Sequence, residues 1–275
     1  MKKLSTMLAV DIVIPVYNEG ENIILVLDSF RRHIRRPFRV LICYDFPEDT
    51  TLTAIATWEH RTDVNIVLVR NPGRGVHAAI LAGFNASTAP AVFCWMGDDD
   101  FNISLFEPMV ARFEDGCDIV TGSRFMKDGC MIGCRWYKKM LTVVANATLY
   151  HLARLPTHDS TNGIRLFSRR LLDTVAVESS QGFTFTFEMM VKAHRLGWRI
   201  EELPAKWFER KMGRSNFKIL PWIVPYLRWY AYAFATTWLK RGPKTVTLKP
   251  GASLTTEPYR PCVRSRIHPK KTGAH

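Results

Sequence analysis

At 275 residues and 47% hydrophobic, the chain is long enough to bury a sizeable core, which excludes a fibrous or disordered class. Its formal net charge is +13, but nine Lys or Arg against Glu257 alone put +8 of that excess in residues 240–275. The body is therefore only mildly basic, which argues against a nucleic-acid-binding module built on a charged folded face.

In chain order, the opening MKKLSTMLAVDIVIPV resembles a secretion signal, but Asp11 interrupts its apolar run and no small-residue cleavage site follows, so a first strand at 10–15 is expected. Further β-rich runs at 39–44, 65–69, 91–95 and 118–122 alternate with helix-period segments at 21–33, 50–60, 76–86 and 104–113. That alternation predicts an α/β fold with a mostly parallel sheet covered by helices. Every loop that follows a strand then falls on one edge of the sheet, where open α/β sheets bind ligands. After residue 122 the rhythm changes to a long helix at 137–154, a strand near Arg165 and a helix at 185–196, expected to build the acceptor side.

The six cysteines are scattered, several of them inside apolar runs, which suits reduced thiols in a reducing compartment. Cys130 and Cys134 lack a second Cys/His pair at zinc-like spacing, so zinc is disfavoured.

The strand-end loops carry the chemistry. IVIPVYNEGENI places Pro15, Tyr17 and Glu19 past the first strand, where a ring can stack near a base and carboxylates can face ribose or base donors. VLICYDFPEDTT brings Asp45 to the same edge, with Asp49 and Thr50 readable as a helix cap. NPGRGVHAAILAGFNAS sets Arg74 between glycines at a helix start, which suits a phosphate, but it has neither the dinucleotide-binding glycine spacing nor the Walker lysine. APAVFCWMG is followed by Asp98, Asp99 and Asp100, carboxylates whose mutual repulsion a Mg²⁺ or Mn²⁺ on a diphosphate would relieve.

Together with DDDFN, DIVTGSRF, DSTNGIRLF, GFTFTFEMM and ERKMGRSNF, these segments make residues 9–217 resemble family 2 glycosyltransferases, and within them dolichol-phosphate mannose synthases and related polyprenyl-phosphate sugar synthases. The resemblance implies a GT-A, Rossmann-like domain over 1–216. It also implies a donor nucleotide, of a GDP- or UDP-sugar, held by Pro15, Tyr17, Glu19, the Cys43 backbone, Asp45 and Arg74. Asp98 and Asp100, with Asn102, would hold the metal, and Asp99 would stand beside the diphosphate. Arg124 and Arg210 match positive positions that face donor and acceptor phosphates, with Lys138, Lys139 and Arg214 as further acceptor contacts. Two departures stand out: Tyr44-Asp45-Phe46-Pro47 replaces Asp-Asp-Gly-Ser, and Arg214-Ser215-Asn216 ends the last motif without its usual lysine.

A polyprenyl phosphate is already anionic near neutral pH and needs no strong base; a glycan hydroxyl would, and Glu188 and Asp159 are then the candidates. A catalytically dead scaffold is the alternative from outside enzymology, disfavoured by the intact acidic triplet.

Residues 219–239 are apolar and aromatic with a single charge, Arg228, long enough on paper to span a bilayer. Pro221, Pro225 and the abundance of Trp and Tyr favour a pair of interfacial helices over 217–241 instead. With a basic, mobile tail over 242–275, the expectation is a peripheral protein on the cytoplasmic face of a membrane.

Overall fold

The computed structural model describes residues 9–209 and 219–254. Nine strands and eight helices are found among them. β1 (Val10–Pro15), β2 (Phe38–Tyr44), β3 (Ile66–Arg70) and β4 (Ala91–Cys94) alternate with α1 (Asn22–His33), α2 (Thr50–Thr57) and α3 (Gly75–Ala86). Then come α4 (Phe106–Glu114), β5 (Ile119–Ser123), β6 (Cys130–Ile132), α5 (Trp136–His151), β7 (Arg165–Ser168), α6 (Arg169–Thr174), α7 (Thr184–Leu196), β8 (Ile200–Pro204), β9 (Lys206–Phe208) and α8 (Ile219–Trp238).

Seven strands form one sheet in the order β3-β2-β1-β4-β7-β5-β8, and β6 pairs with β9 apart from it. β1 to β4 pair in parallel; β1, β2 and β4 are largely apolar and buried, as strands covered on both faces are, while the edge strand β3 leaves Leu68 exposed. β7 runs antiparallel between β4 and β5, so the chain reverses direction where the sequence rhythm changes. One face is covered by α1 and α4 through Phe30, Phe106 and Phe113, the other by α3 and α7 through Ile80, Phe84 and Phe185. At Gly83 a Cβ would lie 2.4 Å from Val13 and 2.7 Å from the Cys43 sulfur, so only glycine lets α3 settle this close to the sheet. That closeness brings the N-terminus of α3 to the ends of β1 and β2.

At the opposite edge Asp11 is buried and accepts hydrogen bonds from Arg39 at 2.7 and 2.8 Å, from the Ser87 hydroxyl and from the Thr88 and Ala89 N–H groups. Burial alone would raise its carboxyl, but the bonds from Arg39, Ser87 and Ala89 outweigh it and hold the group below the usual carboxylate range.

Two expectations change at the C-terminal end. The expected helix pair is one helix, α8, which continues through Pro225. The first turn of a helix has N–H groups without intrahelical partners, and Pro225 removes only one backbone bond further in, so packing can hold the rest of the helix together. Trp229 is 1% exposed on the domain, the Tyr230 hydroxyl meets that of Thr148 at 2.5 Å, and the Thr237 hydroxyl donates to the Ala153 carbonyl. The first residues of the expected tail, 242–254, pack on the domain: Val246 is buried, Val175 and Leu248 form a β-bridge, and the Thr247 carbonyl accepts from Ala176 N–H, while the rest of the expected tail lies outside the described residues. Val246 and Leu248 supply the apolar surface that a count of prolines and charges overlooks. Among the described residues, no helix is long and apolar enough to cross a membrane.

Candidate active site

A cleft of about 390 Å³ opens beyond the carboxyl ends of β1, β2 and β4, within the size range of small-molecule sites. Its lining joins Pro15, Tyr17, Glu19, Asp45 and Asp98, expected from the sequence, with Val16, Gly75, Val76, Ala79, Met96, Gly97 and Phe183.

Each polar member is set by its element's end. Asp49 caps α2 by accepting from Thr51 N–H at 2.8 Å and also accepts from Asn18 N–H at 3.1 Å, while the Thr51 hydroxyl accepts from Glu19 N–H at 3.0 Å. The loop carrying Tyr17 and Glu19 is thereby fastened to α2, with Asn18 in the left-handed region at φ 53°. Tyr17 is 60% exposed and meets Phe46 edge-on with centroids 5.6 Å apart, leaving a ring face for a planar ligand. Asp45 is oriented by Asn71 Nδ2 at 2.7 Å and by Gly75 N–H at 2.7 Å, the latter from the first residue of α3. Asn71 was not singled out from sequence; a lone amide in NPGRG carries no signal of the side chain it will orient.

The acidic turn divides its labour. Asp98 lines the cleft, Asp99 is buried and Asp100 is exposed, with its carbonyl accepting from the Ser29 hydroxyl. Burial pushes the Asp99 carboxyl up to about 7; Asn102 opposes this with two hydrogen bonds, and the negative charges of Asp98 and Asp100 add to it. Asn102 departs from its expected place beside a metal. Its amide donates to Asp99 at 2.7 Å and to the Lys206 carbonyl at 2.8 Å, and its oxygen accepts from Lys206 N–H at 2.9 Å, so it ties the turn to β9. Among the described residues no group of three or more His, Cys, Asp or Glu side chains could hold a metal ion.

Other expected residues stand elsewhere. The Cys43 carbonyl accepts from Val16 N–H at 2.9 Å and its thiol is pushed up to about 12 by burial, so it supports the sheet instead of lining the cleft. Arg74 is exposed as the residue before α3, next to cleft-lining Gly75. Lys138 and Lys139 lie in the first turn of α5. Arg210 and Arg214 lie outside the described residues.

Arg124 and Asp159 form one buried pair. Nε and Nη2 of Arg124 donate to the two Asp159 oxygens at 2.7 and 2.9 Å, and Nη2 also reaches the Thr161 hydroxyl at 2.7 Å. Burial would raise Asp159, but the charge and hydrogen bonds of Arg124 outweigh it and hold its carboxyl below the usual range. An acid so held and fully buried is a poor proton acceptor. Glu188 is likewise unsuited to the expected role of base: it is fully buried, paired with Lys192 at 2.6 Å, and accepts from Glu178 N–H at 2.6 Å and Ser179 N–H at 2.8 Å.

The glycosyl transferase family 2 profile matches residues 11–176. Over 209 residues the chain is 32% identical to an uncharacterized glycosyltransferase of Mycobacterium tuberculosis, covering 76% of this chain and 89% of that one. Polyprenol monophosphomannose synthase of Mycolicibacterium smegmatis is 27% identical over 229 residues, covering 77% and 85% respectively. Among solved structures, glucosyl-3-phosphoglycerate synthase of Mycobacterium tuberculosis, crystallised with Mn²⁺, uridine diphosphate and glucosyl-3-phosphoglycerate, shares the fold with a TM-score of 0.58 at 17% identity, covering 83% of this chain and 79% of that one. The strand-end cleft and the profile, which spans more than half of the chain, agree: this chain belongs to glycosyl transferase family 2 and is a glycosyltransferase.

Proposed function

We propose that this glycosyltransferase moves a sugar of mannose or glucose type from a GDP- or UDP-sugar to a polyprenyl phosphate, working peripherally on the cytoplasmic face of a membrane. The donor part rests on the cleft that gathers Glu19, Asp45 and Asp98 beside Tyr17 and the start of α3. Tyr17 offers a stacking face to the base, and Glu19 and Asp45 offer acceptors to base and ribose donors. The diphosphate would lie toward Gly75 and the α3 N-terminus, where backbone N–H groups and Arg74 favour negative charge.

The acidic turn fits a divalent cation. Its donors are hard carboxylate oxygens, and the neighbouring charges of Asp98 and Asp100, which add to the burial that pushes up Asp99, are an excess of negative charge that such an ion would relieve. Asp98 and Asp100 are the residues that would hold Mg²⁺ or Mn²⁺, with diphosphate oxygens completing the set. Bound there, the ion would neutralise charge developing on the departing nucleoside diphosphate. Inversion at the anomeric carbon then needs a placed, already ionised acceptor oxygen. Arg124 enters as a cation fixed in orientation by Asp159, with Lys138 and Lys139 on α5 nearer solvent.

The acceptor part is carried by one observation: exposed apolar side chains on two neighbouring helices. α5 exposes Trp136 (74%), Tyr137, Met140, Leu141, Val143 and Val144, and α8 exposes Val224, Leu227 and Trp238 (66%). Such a surface, aromatic and flanked by Arg135, Lys138, Lys139, Lys240 and Arg241, matches the interface of an anionic bilayer. The likeness to polyprenol monophosphomannose synthase supports the same reading. A glycan hydroxyl as acceptor is disfavoured because Glu188 and Asp159, the candidate bases, are engaged in buried ion pairs.

The test is a donor screen: purified protein with Mg²⁺ or Mn²⁺, labelled GDP- and UDP-sugars and a short polyprenyl phosphate in mixed micelles. Label in an organic-extractable product is expected. Label found only on added glycan would overturn the lipid acceptor.

A further inference from the structure

Glu188 of the GFTFTFEMM motif belongs to a buried pair that the transfer reaction does not use. Glu188 and Lys192 face each other one turn apart on α7, both fully buried, with Nζ 2.6 Å from the carboxylate. A buried ion pair is a weak source of stability in itself, since desolvation offsets its attraction. What it holds is more informative. The carboxylate of Glu188 accepts the N–H groups of Glu178 and Ser179, and Nζ of Lys192 donates to the Ala176 carbonyl at 2.7 Å and to the Glu178 carboxylate at 2.6 Å. The stretch 176–179 is thus fastened to α7 at four points.

Just beyond it the chain passes Gly182, at φ 52°, and delivers Phe183 into the cleft lining alongside Val76 and Ala79 of α3. On the outer side Arg228 of α8 reaches Glu178 at 2.8 Å. One clamp therefore joins the proposed lipid-facing helix, the buried pair and a wall of the donor cleft.

We propose that Glu188 and Lys192 are positioning residues for the donor, holding loop 176–183 so that Phe183 closes the cleft against α3; this rests on the reading of the cleft as the nucleotide-sugar site. The assignment replaces the role of general base, because both oxygens of Glu188 accept loop N–H groups.

Three variants test it: Phe183→Ala, Glu188→Gln and the paired Glu188→Leu/Lys192→Met, which removes both charges together. Steady-state rates over a pH series and calorimetric binding of UDP and GDP are measured on each. The donor KM and the nucleotide dissociation constant are expected to rise together by about tenfold, the scale of one lost pocket contact, with kcat within about twofold and its pH profile unchanged. If the paired variant fails to fold, Phe183→Ala and Glu188→Gln decide together. Wild-type nucleotide affinity in Phe183→Ala would overturn the proposal. So would a collapse of kcat in Glu188→Gln at unchanged KM with one limb of the pH profile gone, which marks a base. Failure of the unaltered chain to bind either nucleotide would remove the donor reading and this proposal with it, and that result needs no variant.

Discussion

The cleft edge of β1 to β4 and the far half of the sheet treat their charges in opposite ways. Around β1 to β4 the carboxylates Glu19, Asp45 and Asp98 border a common cleft, held by backbone and side-chain groups of neighbouring loops. Past the reversal at β7, Arg124, Asp159, Glu188 and Lys192 are closed into buried pairs, and the outward faces of α5 and α8 are apolar. The contrast teaches that a charged residue in a family motif can be there to build a wall as well as to meet a substrate. Only its partners distinguish the two.

The largest effect should come from opening a closed pair. Asp159→Asn leaves the Arg124 guanidinium buried without its counter-charge, and a loss of roughly 3–5 kcal/mol is expected in urea denaturation. A loss below about 1 kcal/mol would mean that the pair is better solvated than its burial indicates. On the cleft side, Asp98→Ala should lower kcat/KM by about 10²–10³-fold while leaving the unfolding transition in place, because an ion and a departing diphosphate lose a charge partner and no core is disturbed. Initial rates at saturating Mn²⁺ decide it, and activity within threefold of the parent would remove Asp98 from the chemistry.

A smaller effect isolates the structural charge of β1, whose C-terminal end borders the cleft. The folded-state pKa of Asp11 lies below its unfolded value near 3.8, so its contribution is present above that pH and fades as pH falls through the folded value. Asp11→Asn should cost about 2 kcal/mol at pH 7, and the difference from the parent should shrink toward pH 3. A difference independent of pH would show that the hydroxyl and N–H contacts, not ionisation, hold the site. The smallest effect is on the apolar face: Met140→Asp with Val144→Asp should weaken sedimentation with anionic vesicles by about tenfold or more without shifting the unfolding midpoint. Unchanged co-sedimentation would argue against α5 as part of a bilayer-facing surface.

Much of the donor side was legible in the residues. The largely apolar runs of β1, β2 and β4, each leading into a polar loop, placed Pro15, Tyr17, Glu19, Asp45 and Asp98 on one edge because parallel strands share a direction. The acceptor side was less legible. Asn102 was expected beside the metal, but its bond to Lys206 crosses 104 positions, and no local pattern announces it. α5 is legible as a long helix at 137–154, but its outward apolar stripe becomes visible only once its buried neighbours, Asn146 and Leu149, are known. Phe183 has no role legible in the sequence, since nothing in its neighbours says that a loop clamped by Glu188 will carry it to α3.

By itself, the sequence determined the strand-and-helix alternation, the edge on which ligand groups gather and the family, because hydrophobic period and chain direction are local properties. Tertiary structure alone decided which charges are spent on one another: the partners of Arg124, Glu188 and Asn102 come from segments that only folding brings within hydrogen-bond reach. Pairing depends on distances across the fold, and hydrogen bonds lose their hold beyond about 3.5 Å.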